Sequence, residues 1–224
     1  MIGADLPDIH DVYWTREGQC KLRFVRHAYT AVMDRLWTPW RYAYVTGKEV
    51  GDPRRGVPEE LAAWPGDTHC VFCNMIAAVD YAVEHGMAAE EAEKAAHILE
   101  RGKNCFLVLN AYPYNSGHLM VVPYLHEASL AELPVEVAEE MMRLTRRTER
   151  VLRAVYRPEG INFGMNLGKA AGAGVAEHLH LHGVPRWGGD NNFMSVLAET
   201  RVLAEMLDES WRRIRAALAV DVVE

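Results

Sequence analysis

The spacing of apolar residues changes along the chain and separates predicted helices from predicted strands. In residues 134–156 apolar side chains recur every three or four positions, which predicts an amphipathic helix that begins at Pro134. The tail from about 198 to 218 has the same spacing, and residues 74–95 have a helical composition. We therefore expect helices in both of these segments.

Shorter apolar runs predict five strands. They lie at residues 97–100, 104–110, 118–124, 161–168 and 177–185. The segment 47–68 is rich in glycine, proline and charge, so we expect a surface loop there. Antiparallel strands with a long helix packed on one face of the sheet predict an α+β domain.

The composition narrows the functional classes. A net charge of −7 argues against broad electrostatic binding to nucleic acid or to an anionic membrane, so a polyanionic ligand would need a local pocket. No apolar run reaches the roughly 18 residues of a membrane-spanning helix, and no signal peptide is visible. We expect a cytoplasmic protein. In that compartment Cys70-x-x-Cys73 indicates metal or redox chemistry before a disulfide, although no thioredoxin-like pattern surrounds it.

Three histidines at a spacing of two are the strongest chemical signal. His178, His180 and His182 alternate with Leu179 and Leu181 in a predicted strand, so the imidazoles share one face and the leucines point to the core. Such a row suits metal ligation, phosphate binding or nucleophilic attack on phosphorus. The alternative is a solvated strand face that happens to be rich in histidine.

The loop before these histidines has the composition of a phosphate-binding loop. In residues 166–174, Asn166 can donate to a phosphoryl oxygen, and glycines that include Gly172 and Gly174 let main-chain N–H groups approach a polyphosphate. The alternative is an ordinary connection, because loops of small residues are common. The neighbouring histidines favour the phosphate interpretation.

Together, several segments resemble the histidine-triad (HIT) superfamily of nucleotide hydrolases and transferases. The sequences NSGHLMVVPYLH and HLHLHGVPRW carry the resemblance, although Gly183 stands where the triad pattern has an apolar residue. LWTPWRYAYV, CVFC and GMNLGKAAGAG extend it from about residue 35 to 205, toward the bacterial branch that includes diadenosine tetraphosphate phosphorylases. The resemblance implies a HIT-like α+β fold.

The resemblance also implies a role for each matching residue. His180 corresponds to the nucleophile that attacks the α-phosphorus and becomes nucleotidylated, and His182 to the histidine that contacts phosphoryl and leaving-group oxygens. Asn166 corresponds to a phosphate-binding residue and Asn110 to the residue that holds the ribose hydroxyls. His118 is expected to support the triad, with a buried core histidine as the alternative.

A zinc site is implied in the same way. In zinc-bearing relatives the two cysteines of Cys-x-x-Cys join a histidine of the Gly-His hairpin and the first histidine of the triad. Here these residues are Cys70, Cys73, His126 and His178. Two thiolates and two imidazoles would form a closed, structural tetrahedral site. The alternative is a pair of reduced cysteines at a helix start.

The resemblance carries two expectations about assembly and extent. Trp187 is expected to line a substrate site, either its own or that of a neighbouring subunit in a homodimer or homotetramer, with interface packing as the alternative. Met33 stands where relatives commonly begin, and residues 1–32 fit no periodic pattern. We therefore expect a HIT-like domain over 33–224, preceded by a dispensable extension whose alternative role is a subunit contact.

The function that follows is a nucleotide-polyphosphate phosphorylase or hydrolase acting on a substrate like diadenosine tetraphosphate. The choice between phosphate and water as acceptor stays open. One alternative is a nucleotidyl transferase, but galactose-1-phosphate uridylyltransferases have glutamine where this chain has His182. The other is a nucleotide-binding regulator with vestigial activity, which the intact triad disfavours.

Overall fold

The computed structural model of the protein describes four stretches of the chain. They are residues 10–14, 20–24, 56–190 and 205–221. Met33, the first part of the expected loop at 47–68 and the first residues of the expected helix at 198–218 lie outside these stretches. Within them, no helix combines the length and the apolar character needed to cross a membrane.

The chain divides into two compact units, residues 1–36 and 37–224. In the first unit, β1 (His10–Trp14) pairs antiparallel with β2 (Cys20–Phe24). This hairpin was not predicted from the sequence, because a five-residue strand offers little more than two repeats of an alternating pattern. The prediction that residues 1–32 are dispensable stays a prediction.

In the residues that the structure describes, the second unit begins with two helices, continues with three strands and a long helix, and ends with two strands and a last helix. The helices are α1 (Val71–Glu84), α2 (Ala89–Ala95), α3 (Val135–Tyr156) and α4 (Leu207–Val220), with short 3₁₀ turns at Glu59–Leu61 and Lys169–Ala171. The strands are β3 (Ile98–Arg101), β4 (Cys105–Leu109), β5 (Leu119–Pro123), β6 (Gly160–Met165) and β7 (Leu181–Arg186). The helix expected over 74–95 is interrupted between Glu84 and Ala89, where Gly86 adopts a positive φ of 97°.

All five strands form one antiparallel sheet in the order β3-β4-β5-β7-β6. The predicted α+β fold is confirmed, including the long helix packed on the sheet. Every apolar position expected to face the core from α3 packs there. These are Val137, Met141, Leu144, Thr148, Val151, Leu152 and Val155.

Helices cover both faces of the sheet rather than one. On one face, Leu107 of β4 and Val121 of β5 pack in a core with α3 and α4. On the other, Phe106 and Val108 pack in a second core with α1 and α2. All residues of β4 and β5 are consequently buried, which explains why these strands read as continuous apolar runs rather than alternating ones.

The strand expected over 177–185 begins later, at Leu181. The register that pairs Val121 with Leu181 would bring Pro123 opposite Leu179, but proline has no N–H to donate to the ladder. The N–H of Leu179 instead donates to the Glu127 carbonyl over 2.6 Å. Both Leu179 and Leu181 still pack in the core with α3, as the alternation predicts.

Candidate functional site

Four sulfur and nitrogen ligands converge beside the start of α1. Cys70 caps this helix and Cys73 lies in its first turn, while His126 follows β5 and His178 precedes β7. Cys70 Sγ lies 3.3 Å from His178 Nδ1, and Cys73 Sγ lies 3.3 Å from His126 Nδ1. All four ligand atoms lie within 4.8 Å of one another. The structure therefore brings together the complete ligand set that the sequence suggested.

The spacing and chemistry of these ligands fit zinc. Usual Zn–S and Zn–N bonds at tetrahedral angles place sulfur and nitrogen about 3.6 Å apart. His178 Nε2–H donates to the Pro123 carbonyl over 2.9 Å, so Nδ1 keeps its lone pair toward the sulfurs. Burial lowers the pKa of His178 to about 4, which keeps the ring neutral. Burial, and next the neighbouring Cys70, raises the pKa of Cys73 to about 11, so a cation is needed to hold the thiolates.

A buried asparagine holds the loop that delivers Cys70. Asn74 accepts bonds from both the N–H and the hydroxyl of Thr68, each over 2.7 Å. Its amide donates to Asp67 over 2.9 Å. The role of Asn74 was not predicted from the sequence, because asparagine inside a helix has no distinctive pattern when its partners lie in the preceding loop.

His180 is oriented by the main chain of the same segment. Its Nδ1 lies 2.9 Å from the His178 carbonyl oxygen, which can only accept, so Nδ1 carries the proton and Nε2 carries the lone pair. Burial lowers the pKa of His180, which favours the neutral ring. A neutral imidazole with an available lone pair is a competent nucleophile.

His182 is linked to His118 by a chain of hydrogen bonds that fixes both tautomers. The Tyr114 N–H donates to His118 Nδ1 over 3.0 Å, so His118 must carry its proton on Nε2. That Nε2–H donates to His182 Nδ1, also over 3.0 Å. His182 therefore carries its proton on Nε2, as a donor suited to a phosphoryl or leaving-group oxygen. His118 is fully buried and bonded to His182, and its supporting role stays a prediction.

Asn110 lies beside His118. Its side-chain oxygen accepts the Tyr112 N–H over 2.9 Å, which fixes the amide orientation. The amide nitrogen lies 3.4 Å from His118 Nε2. Because that Nε2 already donates to His182, we treat this approach as a contact between two donors and not as a hydrogen bond. Asn110 is thus close to the triad, and its expected role toward ribose stays a prediction.

The expected phosphate loop begins beside His180. Strand β6 ends at Met165, which pairs with Leu181, so Asn166 follows in register opposite His180. Beyond Asn166 the loop is exposed at both Gly172 and Gly174, and Gly172 has a φ of 91° in the left-handed region. Phosphate binding by these residues stays a prediction.

Trp187 is separated from His180 within this chain. It follows the last residue of β7, about 16 Å beyond His182 at the usual rise per residue of a strand. Its ring contacts Tyr156 edge-on, with centroids 6.4 Å apart. A contribution to the substrate site of a neighbouring subunit stays a prediction.

Two aromatic residues that the sequence analysis did not single out contact the histidines. The Phe72 ring lies 5.2 Å from that of His178 and 5.1 Å from that of His180. Tyr114 stacks on His118 with centroids 4.8 Å apart. Phe72 lies one and two residues from the cysteines of the Cys-x-x-Cys segment, and helical spacing does not place such neighbours on one face, so the spacing carried no signal for this contact.

The departure of Gly183 from the triad pattern has a steric cause. A Cβ at Gly183 would lie 2.8 Å from the ring of Phe163 on β6. The aromatic side chain of the neighbouring strand therefore fills the space that an apolar residue would occupy at position 183.

Comparisons with known proteins agree with this geometry. A family profile for the HIT domain matches residues 91–188. An AP-4-A phosphorylase from Mycobacterium tuberculosis is 39% identical over 181 residues, which cover 80% of this chain and 82% of the relative. A zinc-bound histidine triad family protein from Mycobacterium smegmatis superposes with a TM-score of 0.50 at 29% identity, covering 69% of this chain and 96% of its own. A hypothetical histidine triad nucleotide-binding protein from Sulfolobus tokodaii has the same fold, with a TM-score of 0.50 at 21% identity over 67% of this chain and 92% of its own.

Proposed function

This chain belongs to the HIT domain family, and on that premise we propose that it is a nucleotide-polyphosphate phosphorylase or hydrolase with His180 as its nucleophile. We further propose a dinucleoside polyphosphate resembling diadenosine tetraphosphate as substrate, supported by the relative named AP-4-A phosphorylase. The observation that carries the catalytic assignment is the pair of contacts at the two Nδ1 atoms, from which we infer a lone pair on Nε2 of His180 and an N–H on Nε2 of His182.

In the first half-reaction, Nε2 of His180 attacks the α-phosphorus. A P–N bond forms, the bond from phosphorus to the leaving nucleotide's oxygen breaks, and the electron pair departs with that oxygen. His182 donates its Nε2–H to the phosphoryl or leaving-group oxygen. The positive charge that develops on His180 is stabilised by the bond from Nδ1–H to the His178 carbonyl.

In the second half-reaction, an acceptor oxygen attacks the same phosphorus and displaces His180, which returns to its neutral form. Phosphate as acceptor yields ADP from an adenylylated enzyme, and water yields AMP. Splitting one displacement into two steps replaces a single difficult attack by two easier ones.

Product analysis tests this function. The protein is incubated with diadenosine tetraphosphate, with and without inorganic phosphate. ADP and ATP formed only with phosphate would identify a phosphorylase, and AMP and ATP formed without it an asymmetric hydrolase. No turnover under either condition would reject the enzyme and favour a nucleotide-binding regulator. Transfer of the nucleotidyl group to a sugar phosphate would favour the transferase, a reaction that the presence of His182 disfavours.

We propose that Cys70, Cys73, His126 and His178 hold one zinc ion per chain. Four protein ligands would leave no coordination position for substrate, so the ion would supply folding stability rather than chemistry. The zinc-bound relative from M. smegmatis supports this assignment.

Three further proposals concern the whole protein. We propose a homodimer or homotetramer, to be measured by mass in solution, in which Trp187 reaches a neighbouring substrate site. We propose that residues 33–224 suffice for activity. We also propose a cytoplasmic location, where Cys70 and Cys73 would stay reduced and available to the metal.

A further inference from the structure

A polar cluster lies at the far end of β7 from the triad. The side-chain amide of Asn115 donates to the Pro185 carbonyl over 3.2 Å and to Asp190 Oδ2 over 3.1 Å. Arg186 holds the same carboxylate with two bonds of 2.6 and 2.9 Å and also donates to Asn162 over 3.0 Å. We call the side chains of Asn115, Arg186 and Asp190 the Asn115 anchor.

The anchor fastens the turn at 110–118 to β7. This turn leaves β4 after Leu109 and enters β5 at Leu119, so β7 itself contributes neither of its ends. The Asp190 side chain is only 10% exposed, and the bidentate pairing with Arg186 fixes the direction of its oxygens. The side-chain amide of Asn115 therefore donates to a carboxylate, that of Asp190, whose position is fixed by Arg186.

The main chain on either side of that amide holds His118. The carbonyl of Asn115 accepts the His118 N–H over 3.1 Å. The N–H of the preceding residue, Tyr114, is the donor that fills His118 Nδ1. A shift of Asn115 would therefore move both contacts that set the place and the tautomer of the His118 ring.

We propose that Asn115 is a positioning residue for the reaction, acting through Tyr114 and His118 to keep the proton of His182 on Nε2, with Asp190 and Arg186 holding it in place. This inference rests on the proposed function, because it assigns the anchor to the donor that faces the leaving group. If the Tyr114 N–H moves away, His118 Nδ1 becomes able to carry the proton, and the tautomers of His118 and His182 are no longer fixed.

The expected effect is on the chemical step more than on substrate binding. Small displacements of reacting groups cost on the order of 10- to 100-fold in rate, so we expect kcat to fall by that factor in Asn115→Ala. KM should change by less than about threefold, because the anchor lies at the far end of β7 from His180 and His182 and is proposed to act on the chemical step.

The test combines kinetics with nitrogen-15 NMR of the histidine rings. In the wild-type holoenzyme we expect the His182 ring to show a protonated Nε2 and an unprotonated Nδ1. In Asn115→Ala we expect both ring signals to move toward tautomer averaging, together with the fall in kcat. Asp190→Asn, which acts from the other side of the same contact, should shift both readouts in the same direction.

Asp221→Asn is the matched control. Asp221 also accepts two bonds from one arginine, Arg150, over 3.1 and 2.9 Å. This pair joins α3 to the end of α4 and includes no residue of the triad or the anchor. The Asp221→Asn substitution should lower the midpoint of thermal unfolding while leaving kcat and the His182 ring signals unchanged.

The outcomes separate this inference from the proposed function. A folded Asn115→Ala enzyme with wild-type kcat and wild-type ring signals would overturn the inference, and so would a loss of kcat with an unchanged His182 tautomer. If Asn115→Ala does not fold, Asp190→Asn decides by the same two readouts. A wild-type protein without turnover would reject the proposed function, yet the ring signals would still show whether Asn115 controls the tautomer.

Discussion

The zinc cluster and the neighbouring histidines His180 and His182 all use imidazole rings, but the rings of His178 and His180 are held through different nitrogens. Pro123 accepts the Nε2–H of His178, which leaves Nδ1 facing the sulfurs, whereas the His178 carbonyl accepts the Nδ1–H of His180, which leaves the Nε2 lone pair available for the proposed attack. In His182 the ring partner is a donor, so Nε2 carries a proton. One sequence pattern thus supplies the proposed metal ligand, the proposed nucleophile and the proposed hydrogen-bond donor, according to the atom that holds each ring.

The two regions also differ in what holds them together. The zinc cluster gathers ligands from α1, the segment after β5 and the segment before β7, so the proposed metal would cross-link separate parts of the fold. The catalytic histidines are oriented by main-chain groups and by His118. The comparison predicts that damage to the zinc cluster lowers stability first, and that damage to His180 lowers activity first.

Substitution of the nucleophile should have the largest effect. His180→Gln approximates the volume of a ring that is 6% exposed, but it cannot form a nucleotidylated imidazole. We expect kcat to fall by about three orders of magnitude or more with zinc content unchanged, measured by steady-state assay and elemental analysis. His69→Gln is the control, since the His69 side chain is 89% exposed and lies outside both clusters. A variant retaining a tenth of wild-type kcat would exclude His180 as nucleophile.

Removal of one thiolate should separate stability from chemistry. Cys70→Ser should reduce zinc from about one ion per chain to nearly none and lower the free energy of unfolding by about 3 kcal/mol or more. For a chain of this length that corresponds to a fall in Tm of about 6–12 °C, readable by calorimetry. Cys105→Ser is the control, because Cys105 is buried in the core beneath α3. The zinc content of this variant should stay at the wild-type value. Full zinc content in Cys70→Ser would contradict the ligand assignment.

Chelation should sharpen the same distinction without a substitution. We expect the metal-depleted protein, assayed well below its new Tm, to lose less than about tenfold in kcat, because a closed site offers substrate no coordination position. The reason is local: the carbonyl that orients His180 belongs to the main chain of His178 rather than to its ligating ring. Loss of turnover before any loss of Tm would mean that the metal takes part in the reaction.

Truncation should have the smallest effect on either cluster. A chain that begins at Met33 removes the β1–β2 hairpin and keeps every residue assigned to the zinc cluster and the triad. We expect kcat/KM to change by less than about twofold, with the solution mass per assembly falling only by the deleted residues. A smaller oligomer, or failure to fold, would show that the first residues form a subunit contact.

Sequence periodicity was sufficient for the parts of this fold that depend on local spacing. The buried face of α3 and the alternation of the triad histidines with Leu179 and Leu181 follow from periods of 3.6 and two residues. The zinc ligands were found through the resemblance, and the structure confirms that they meet. The later start of β7 could not be predicted from spacing alone, because it depends on the strand register, which would bring Pro123 opposite Leu179 if the pairing continued.

The tautomers of His178, His180 and His182 could not be predicted from the sequence for a related reason. They depend on which carbonyl or N–H lies next to each ring, and those partners come from Pro123, His178 and Tyr114. The same holds for the Asn115 anchor, where Asp190 comes from a segment far along the chain. Contacts with residues distant in the chain therefore set the tautomers on which the proposed roles of His178 and His182 depend.

Trapping the covalent intermediate is the most direct test of the proposal that His180 is the nucleophile. The wild-type protein is mixed with diadenosine tetraphosphate in the absence of phosphate, and the reaction is quenched with base within the first turnover. The quenched protein is then digested and analysed by tandem mass spectrometry. The account predicts an adenylyl group on the peptide that contains His180, attached at Nε2, and none on that peptide in His180→Gln. Turnover with the adenylyl group on another residue, or with no covalent intermediate at any time, would contradict it.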